Sequence, residues 1–231
     1  MHWVSSTMRT SLSFLWTRNA TALFLGLVAI LPFAPRAEAS PDKVVVFLAM
    51  PGAGKSTFAN ALSKKASNAP MWSSGDVIRR AVAEKFGVYN IENDKAMRME
   101  FGKTPGKVGS LVAAEVMKAS GPLGIVEGFR TPEDLMEFKK AFPKVEIVAI
   151  QVGAERRYAR MLSRGRAGET TPKILRERDA SETKLGVQRA MKLATVRVRP
   201  GDGITAVDHS VDTLMKKLSL TPAPAAAAGA E

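Results

Sequence analysis

The feature that most constrains this chain is a glycine-rich segment between an apolar run and a segment of helical character. Residues 49–57 read Ala-Met-Pro-Gly-Ala-Gly-Lys-Ser-Thr, and residues 44–48 before them read Val-Val-Val-Phe-Leu. A buried strand, a glycine-rich turn and a Gly-Lys-Ser sequence at the start of a helix define a P-loop. The order of these three parts predicts a site for a nucleoside triphosphate.

The residue types of this segment suit phosphate groups and a cation. Glycines let the backbone curl so that successive N–H groups face one concavity, and the helix N-terminus adds partial positive charge. Lys55 is expected to reach the β- and γ-phosphates, and the Ser56 hydroxyl to contact Mg²⁺. We therefore predict that ATP and Mg²⁺ bind here. The predicted contact residues are Pro51, Gly52, Ala53, Gly54, Lys55, Ser56 and Thr57.

Composition indicates a globular domain that binds anions. The chain has 231 residues, of which 45% are hydrophobic and 24% charged, close to the globular average. Its net charge of +12 favours anionic ligands. Aromatic residues make up only 6% and do not alternate with basic ones, which argues against stacking on nucleic acid. Cysteine is absent, which excludes disulfides and thiolate metal sites. Small phosphorylated molecules are therefore the expected partners.

The N-terminal segment, residues 1–39, differs in pattern from the rest. Arg9 and Arg18 precede an apolar run at residues 20–32, and residues 37–39, Ala-Glu-Ala, offer a small-x-small cleavage site. This pattern is typical of a secretory signal peptide. The run is short for a membrane span, which needs about 20 residues. The alternatives are an organelle transit peptide, or a wrongly assigned start codon in a cytoplasmic protein.

The remaining chain predicts one α/β domain. Residues 221–231, rich in alanine and proline, have no pattern that could bury a face and are predicted to be a disordered tail. Across residues 40–220 predicted strands alternate with helices, which predicts a three-layer α/β/α fold with a five-stranded parallel sheet. Residues 80–120, mostly helical, are predicted to be an insertion that covers a second substrate. Residues 155–185 are placed like a short, arginine-rich lid.

Two carboxylates follow predicted strands. Asp76 comes shortly after the short strand predicted at residues 71–72, at the sheet edge where open α/β sheets bind ligands. A helix cap is its alternative role. Glu127 ends an apolar run that begins at Gly124, where an unpaired charge would be costly. Mg²⁺ would supply a partner, and a salt bridge to an arginine or a capping role is the alternative.

Arginines are concentrated after the predicted fourth strand. Arg157, Arg160 and Arg164 recur at helical spacing, and Arg166 follows a glycine. Arginines near a transferring phosphoryl group stabilise its charge in the transition state. We predict that this segment acts on the phosphate groups, with a solvent-exposed helix face as the alternative.

Three motifs in order resemble those of the nucleoside monophosphate kinases, above all adenylate kinase. They are Met-Pro-Gly-Ala-Gly-Lys-Ser-Thr at residues 50–57, Ser-Gly-Asp-Val-Ile-Arg at 74–79 and Val-Glu-Gly-Phe-Arg at 126–130. Over residues 43–218 the chain also resembles archaeal P-loop proteins described as dephospho-coenzyme A kinase-like or nucleotide-kinase-like. Those proteins share a later Arg-x-Arg-Asp segment, here residues 176–179.

The resemblance implies an ATP-dependent kinase with a nucleotide-type acceptor, either a nucleoside monophosphate or dephospho-coenzyme A. A monophosphate needs no general base, whereas a hydroxyl acceptor would make Asp76 the candidate base. The implied acceptor-binding residues are Gly75, Asp76, Arg79, Gly128 and Arg130. The implied catalytic residues are Lys55, Asp76, Arg130, Arg164 and Arg166, and the implied Mg²⁺ ligands are Ser56 and Glu127.

The chain departs from the kinase motifs at three points. Ala49 replaces the first glycine, Glu127 replaces an aspartate, and no proline stands between Phe129 and Arg130. Glu127 is one methylene longer than the aspartate, which changes the geometry it could offer a metal. A P-loop ATPase or regulatory switch without a small-molecule acceptor is the alternative function, supported mainly by the positive charge.

Overall fold

The computed structural model describes residues 40–142, 144–165 and 170–222. Their strands form one sheet in the order β2-β3-β1-β4-β5, and every neighbouring pair is parallel. This arrangement confirms the predicted five-stranded parallel sheet. The strands are β1 (Lys43–Ala49), β2 (Met71–Ser73), β3 (Leu123–Glu127), β4 (Val145–Ile150) and β5 (Val196–Val198).

Helices connect the strands, as a parallel sheet requires. Those of the first half are α1 (Lys55–Lys65), α2 (Ser74–Phe86), α3 (Ile91–Gly102) and α4 (Lys107–Val116). Those of the second half are α5 (Pro132–Ala141), α6 (Ala154–Ser163), α7 (Pro172–Leu185), α8 (Val187–Lys192) and α9 (Ile204–Lys217). The predicted insertion at residues 80–120 therefore consists of the end of α2, then α3 and α4.

The core lies on both faces of the sheet. Alternate residues of β1 point to opposite faces: Val44 and Val46 belong to one buried cluster, Val45 and Phe47 to the other. The first cluster includes residues of α2, α4, α5 and α8, and the second includes residues of α1 and α9. A central strand covered on both faces explains the unbroken apolar run of the sequence.

Capping residues fix where the helices begin near the site. Thr131 caps α5 by accepting a hydrogen bond from the Asp134 amide at 3.0 Å, and Thr171 caps α7 in the same way. Proline occupies the first turn of both helices, a position that suits its fixed φ. Both starts agree with the sequence pattern.

Two predicted segments fall outside the described ranges. The predicted targeting segment, residues 1–39, is one, and residues 223–231 of the tail predicted at 221–231 are the other. Both stay predictions, as does the cellular location. Within the described ranges, no helix is long and apolar enough to cross a membrane.

Candidate active site

The loop between β1 and α1 has the conformation that its glycines predict. Gly52 and Gly54 have φ values of 78° and 85°, in the left-handed region that favours glycine. A Cβ atom on Gly52 would lie 2.7 Å from the Met161 sulfur and 2.8 Å from the Arg157 carbonyl oxygen. The loop therefore packs directly against α6, and a side chain at this position would collide with it.

The predicted Lys55, Ser56 and Glu127 meet at the carboxyl edge of the sheet. Lys55 Nζ lies 2.9 Å from Glu127 Oε2, and the Ser56 hydroxyl lies 3.0 Å from both oxygens of the same carboxylate. β1 and β3 are neighbours in the sheet, so the P-loop after β1 and the last residue of β3 are adjacent. Glu127 thus has a lysine partner, where the sequence analysis considered Mg²⁺ or an arginine.

A cavity of about 260 Å³ lies over the P-loop. Its wall includes residues 50–57 together with Arg164 and Arg178. Arg164 therefore lines the cavity at the P-loop, and its catalytic role stays a prediction. Arg166 lies outside the described residues, so its predicted role stays a prediction. Arg178, on α7, was not among the predicted site residues. The Arg-x-Arg-Asp segment was the one signal that could have indicated it.

A second cavity of about 260 Å³ adjoins the first. Pro51, Lys55 and Arg178 line both cavities, so the two share a wall at the P-loop lysine. Four arginines line the second cavity: Arg79, Arg98, Arg130 and Arg178. The predicted Gly75 and Gly128 line it as well. Such a concentration of guanidinium groups suits a phosphate or carboxylate.

Arg98 is the second arginine that the sequence analysis missed. It lies on α3, where its guanidinium donates two hydrogen bonds to the Asp94 carboxylate. Nε donates to Oδ2 at 2.7 Å, and Nη2 donates to Oδ1 at 3.1 Å. Arg98 and Asp94 are four residues apart, the spacing at which helical side chains meet. This pairing holds the guanidinium at the cavity wall, although nothing in the sequence distinguishes Arg98 from an ordinary surface arginine.

Asp76 lies beside the second cavity rather than in its wall. It is in the first turn of α2, its side chain is half exposed, and it contacts Arg79 three residues on. The cap of α2 is Ser73, whose hydroxyl accepts a hydrogen bond from the Gly75 amide at 3.2 Å. The alternative role of Asp76 as a helix cap is therefore wrong. Among the described residues, the wall includes Arg79 but not Asp76.

An apolar cavity of about 340 Å³ continues from the arginine-lined one. Arg98 and Arg130 line both. The apolar part of its wall comes from α2, α3, α4, the residue after Gly128, and the end of α7. Those side chains are Ile78, Phe101, Val108, Phe129 and Leu185. Residues of the predicted insertion therefore contribute to the wall of this cavity; that they cover a second substrate stays a prediction.

Two opposing effects act on the pKa of Arg130, its burial and a nearby carboxylate. Burial lowers the pKa of its guanidinium, and the nearby Glu182 carboxylate opposes that shift. Arg130 Nη1 lies 3.5 Å from Glu182 Oε1, and Glu182 is only 6% exposed. An arginine stays charged at neutral pH despite such a shift. The cavity wall therefore presents a fixed positive charge.

Arg157 departs from the predicted role of the lid arginines. It is 4% exposed, and its guanidinium makes a two-pronged ion pair with Asp179 of α7. It also donates to the Pro51 carbonyl at 2.9 Å and to the Val152 carbonyl at 3.2 Å. Helical spacing placed Arg157 with Arg160 and Arg164, but this side chain joins α6, α7 and the P-loop instead of facing phosphate.

A smaller apolar cavity, about 200 Å³, lies on the α1 side of the P-loop. Its wall includes Gly54, Thr57, Arg160 and Ile204. Arg160 also donates to Asp202 at 3.0 Å. A planar group attached to a triphosphate on the P-loop could occupy this space.

No group of three or more histidine, cysteine or acidic side chains suited to a metal occurs within the described ranges.

Comparison with known proteins identifies the family. A family model described as an AAA domain matches residues 48–175, more than half of the chain. A UPF0200 protein of Pyrococcus abyssi is 30% identical over 187 residues, which cover 76% of this chain and 96% of that protein. The chain belongs to the AAA-domain and UPF0200 families. A UPF0200 protein of Pyrococcus horikoshii is 32% identical over 188 residues, with 76% and 97% coverage.

The UPF0200 relatives confirm the resemblance to archaeal P-loop proteins. Among solved structures, a tunicamycin resistance protein from Deinococcus radiodurans superposes with a TM-score of 0.54 at 12% identity. The match covers 79% of this chain and 99% of the other. At this identity the likeness shows the P-loop α/β fold alone.

Proposed function

We propose that this chain is an ATP-dependent kinase that transfers the γ-phosphoryl group to a phosphorylated, nucleotide-type small molecule. The observation that supports it is the shared wall of the two 260 Å³ cavities, at Pro51, Lys55 and Arg178. A triphosphate on the P-loop would place its terminal phosphate at this wall. An acceptor in the arginine-lined cavity would then be next to the group it receives, and proximity of this kind accounts for much of phosphoryl-transfer catalysis.

The P-loop residues have distinct roles in this proposal. Backbone N–H groups of residues 52–57 hold the phosphates, and Lys55 moves from Glu127 to the β- and γ-phosphates. Arg164 and Arg178, both in the wall of the P-loop cavity, stabilise charge on the transferring group. The adenine ring of ATP occupies the 200 Å³ cavity near Thr57 and Ile204.

The residues present fit Mg²⁺ as the accompanying cation. Ser56 and Glu127 offer a hydroxyl and a carboxylate 3.0 Å apart, and oxygen is the ligand that Mg²⁺ prefers. Phosphate oxygens and water would complete the coordination, because Mg²⁺ is ordinarily held by one or two protein groups plus substrate phosphates. When bound, the ion would neutralise charge on the phosphates.

The arginine-lined cavity and the 340 Å³ apolar cavity beside it indicate the chemistry of the acceptor. Arg79, Arg98 and Arg130 would hold its phosphate, and the apolar cavity that continues past Arg98 and Arg130 would take the rest of the molecule. A nucleoside monophosphate and dephospho-coenzyme A both combine a phosphate with a heterocycle. The pairing of Asp76 with Arg79 favours the monophosphate, because Asp76 then positions a phosphate-binding arginine and no general base is needed.

The experiment measures ADP formation from ATP–Mg²⁺ alone and with AMP, CMP, UMP, GMP or dephospho-coenzyme A. We expect one acceptor to stimulate ADP formation by about tenfold or more, and Arg98→Gln to raise the KM for that acceptor while leaving the KM for ATP unchanged. Lys55→Ala is the control for P-loop-dependent turnover. ADP formation that is indifferent to all five acceptors would favour an ATPase or regulatory switch instead.

A further inference from the structure

A cavity of about 780 Å³ has no place in the proposed reaction. It lies at the carboxyl ends of β4 and β5, beside α8, and its volume falls within the 300–1,000 Å³ range typical of small-molecule sites. Among the described residues, it shares Met50 alone with the P-loop cavity and none with either acceptor cavity. We call it the β4–β5 cavity.

The β4–β5 cavity has a positively charged rim. Lys192, Arg197 and Arg199 line it, and within the described part of the chain none of the three pairs with an acidic side chain. Two of them are held by neutral oxygens: Arg199 Nε donates to Gln151 Oε1 at 3.0 Å, and Arg197 Nη2 donates to the Lys192 carbonyl at 3.3 Å. Because no carboxylate neutralises these guanidinium groups, their charge is available to bind an anion.

The floor of the cavity is apolar. Ile150, Val152, Met191 and Pro200 line it, next to the charged rim. A small-molecule site typically combines an apolar lining with a few polar groups that fix the ligand's orientation. Inorganic anions would use the rim alone, whereas a ligand with an anionic end and an apolar ring would use both parts.

A link to the P-loop follows from one arginine. Arg156 also lines the β4–β5 cavity, and its Nε donates to Asp202 Oδ1 at 3.0 Å. The same Asp202 oxygen accepts from Arg160, which lines the cavity on the α1 side of the P-loop. An anion that draws Arg156 away from Asp202 would leave that carboxylate to Arg160 alone.

From these contacts we infer that the β4–β5 cavity is a second ligand site, for a small organic phosphate with an apolar ring, separate from the phosphoryl-transfer site. The rim binds the phosphate and the floor binds the ring. Because Met50 and Asp202 connect this site to the P-loop surroundings, an occupied β4–β5 cavity would alter nucleotide affinity.

The test uses phenyl phosphate as the probe and the methyl groups of methionine as local reporters. The full-length protein with ¹³C-methyl methionine is titrated with phenyl phosphate and, separately, with inorganic phosphate. We expect the Met191 methyl signal to shift and saturate, while the signals of Met99 and Met136, exposed methionines elsewhere, do not move. Phenyl phosphate should bind at least about tenfold more tightly than inorganic phosphate, since ring burial adds more than about 1.4 kcal/mol.

Variants decide whether the rim binds the probe. Arg197→Gln/Arg199→Gln should lower the affinity for phenyl phosphate, measured by the Met191 titration, at least about tenfold. Two charge-assisted hydrogen bonds are lost in this variant. Lys192→Gln alone should also lower the affinity for phenyl phosphate. The matched control Lys216→Gln/Lys217→Gln removes two charges at the end of α9, and Arg79→Gln alters the acceptor cavity. Both should leave the titration unchanged.

Three results would overturn the inference. They are a Met191 signal that does not move, an unchanged affinity in the Arg197→Gln/Arg199→Gln variant, and equal loss in the Lys216→Gln/Lys217→Gln control. Equal affinity for inorganic phosphate would overturn the role of the apolar floor. The titration needs no ATP turnover, so its outcome is independent of the proposed kinase activity.

Discussion

Gly52 and Gly153 both lie next to α6, but the space beside their backbones differs. Gly52 has a left-handed φ, and a Cβ atom there would meet Met161 and the Arg157 carbonyl. Gly153 has an ordinary φ of −59°, and no atom of the described residues lies within 4 Å of the position that its Cβ would take. The two positions therefore form a matched pair for testing how tightly the P-loop is held.

We predict that Gly52→Ala lowers the free energy of unfolding by about 2–4 kcal/mol, the sum of left-handed backbone strain and overpacking. Gly153→Ala should change it by no more than about 0.5 kcal/mol. Urea denaturation followed by circular dichroism measures both. Equal stability of the two variants would contradict the close packing of the P-loop against α6.

Glu127 is the residue where charge and shape can be separated. Glu127→Gln keeps the side-chain size but removes the charge that faces Lys55 and Ser56. We predict a loss of about a hundredfold in ADP formation, similar to the loss of one electrostatic group at other active sites. Stability should fall by about 1–3 kcal/mol, the cost of weakening a charge-assisted hydrogen bond, since the Lys55 and Glu127 side chains are only 23% and 12% exposed.

The control for Glu127→Gln is Glu137→Gln on α5. Glu137 forms a 2.6 Å ion pair with Lys140, and both side chains are more than a third exposed. The substitution removes one negative charge far from the P-loop and should leave turnover unchanged. Equal turnover in Glu127→Gln and the unaltered protein would contradict a role for this carboxylate at the phosphates.

Among the elements, α7 links the two halves of the site. Leu175, Arg178, Asp179 and Glu182 recur at the spacing of one helix face. From that face Leu175 enters the core, and Arg178 lines both 260 Å³ cavities. Asp179 pairs with Arg157, and Glu182 pairs with Arg130. A shift of α7 would therefore affect the P-loop, α6 and the arginine-lined cavity together.

The Arg157–Asp179 pair gives a quantitative prediction for α6 and α7. Asp179→Ala leaves the buried Arg157 charge without its partner, so stability should fall by about 3–5 kcal/mol. Arg157→Met/Asp179→Leu removes both charges and should recover part of that loss. A double-mutant cycle with thermal unfolding measures the coupling between them.

The exposed pair between Arg156 of α6 and Asp202, in the loop before α9, provides the comparison. Arg156 pairs with Asp202, whose side chain is 74% exposed. Asp202→Ala should lower stability far less than Asp179→Ala does, because water already solvates both charges of the exposed pair. If the two aspartate variants lost the same stability, the buried pair would have no special role in joining α6 to α7.

The P-loop, the five strands and the starts of α5 and α7 could be predicted, because glycine, proline and capping residues act on the backbone within a few positions. Arg98 could not be predicted as a cavity residue, because its position depends on how α3 packs over the sheet. Arg178 had one signal, the Arg-x-Arg-Asp segment, but the cavities that it lines depend on how α7 packs. Arg157 shows the same limit: its spacing matches Arg160 and Arg164, but Asp179, 22 residues away, determines its role.

At the scale of the whole molecule, the described residues contain the complete sheet and both buried clusters. We predict that residues 40–222 alone fold with a melting temperature within about 4 °C of the full chain, since a change below about 1 kcal/mol in stability shifts it by no more than about 2–4 °C. Differential scanning calorimetry makes the comparison. A much lower melting temperature would mean that the ends of the chain contribute to the core.

The charge of the whole chain, +12, agrees with a protein whose cavities receive anions. Arginines line both the acceptor cavity and the β4–β5 cavity, so part of this charge is concentrated where ligands are proposed to bind. Uniformly distributed surface charge would instead favour non-specific binding to polyanions. The arrangement therefore favours small phosphorylated ligands.

The most direct measurement follows a labelled phosphoryl group from ATP into an acceptor. The protein is incubated with Mg²⁺, ATP labelled at the γ-phosphate and each of the five acceptors, and the products are separated and counted. The kinase proposal predicts that the label appears in one phosphorylated acceptor, and that Lys55→Ala and Arg178→Gln each reduce its appearance about a hundredfold or more. Label that appears only as inorganic phosphate, in equal amounts with every acceptor, would contradict it.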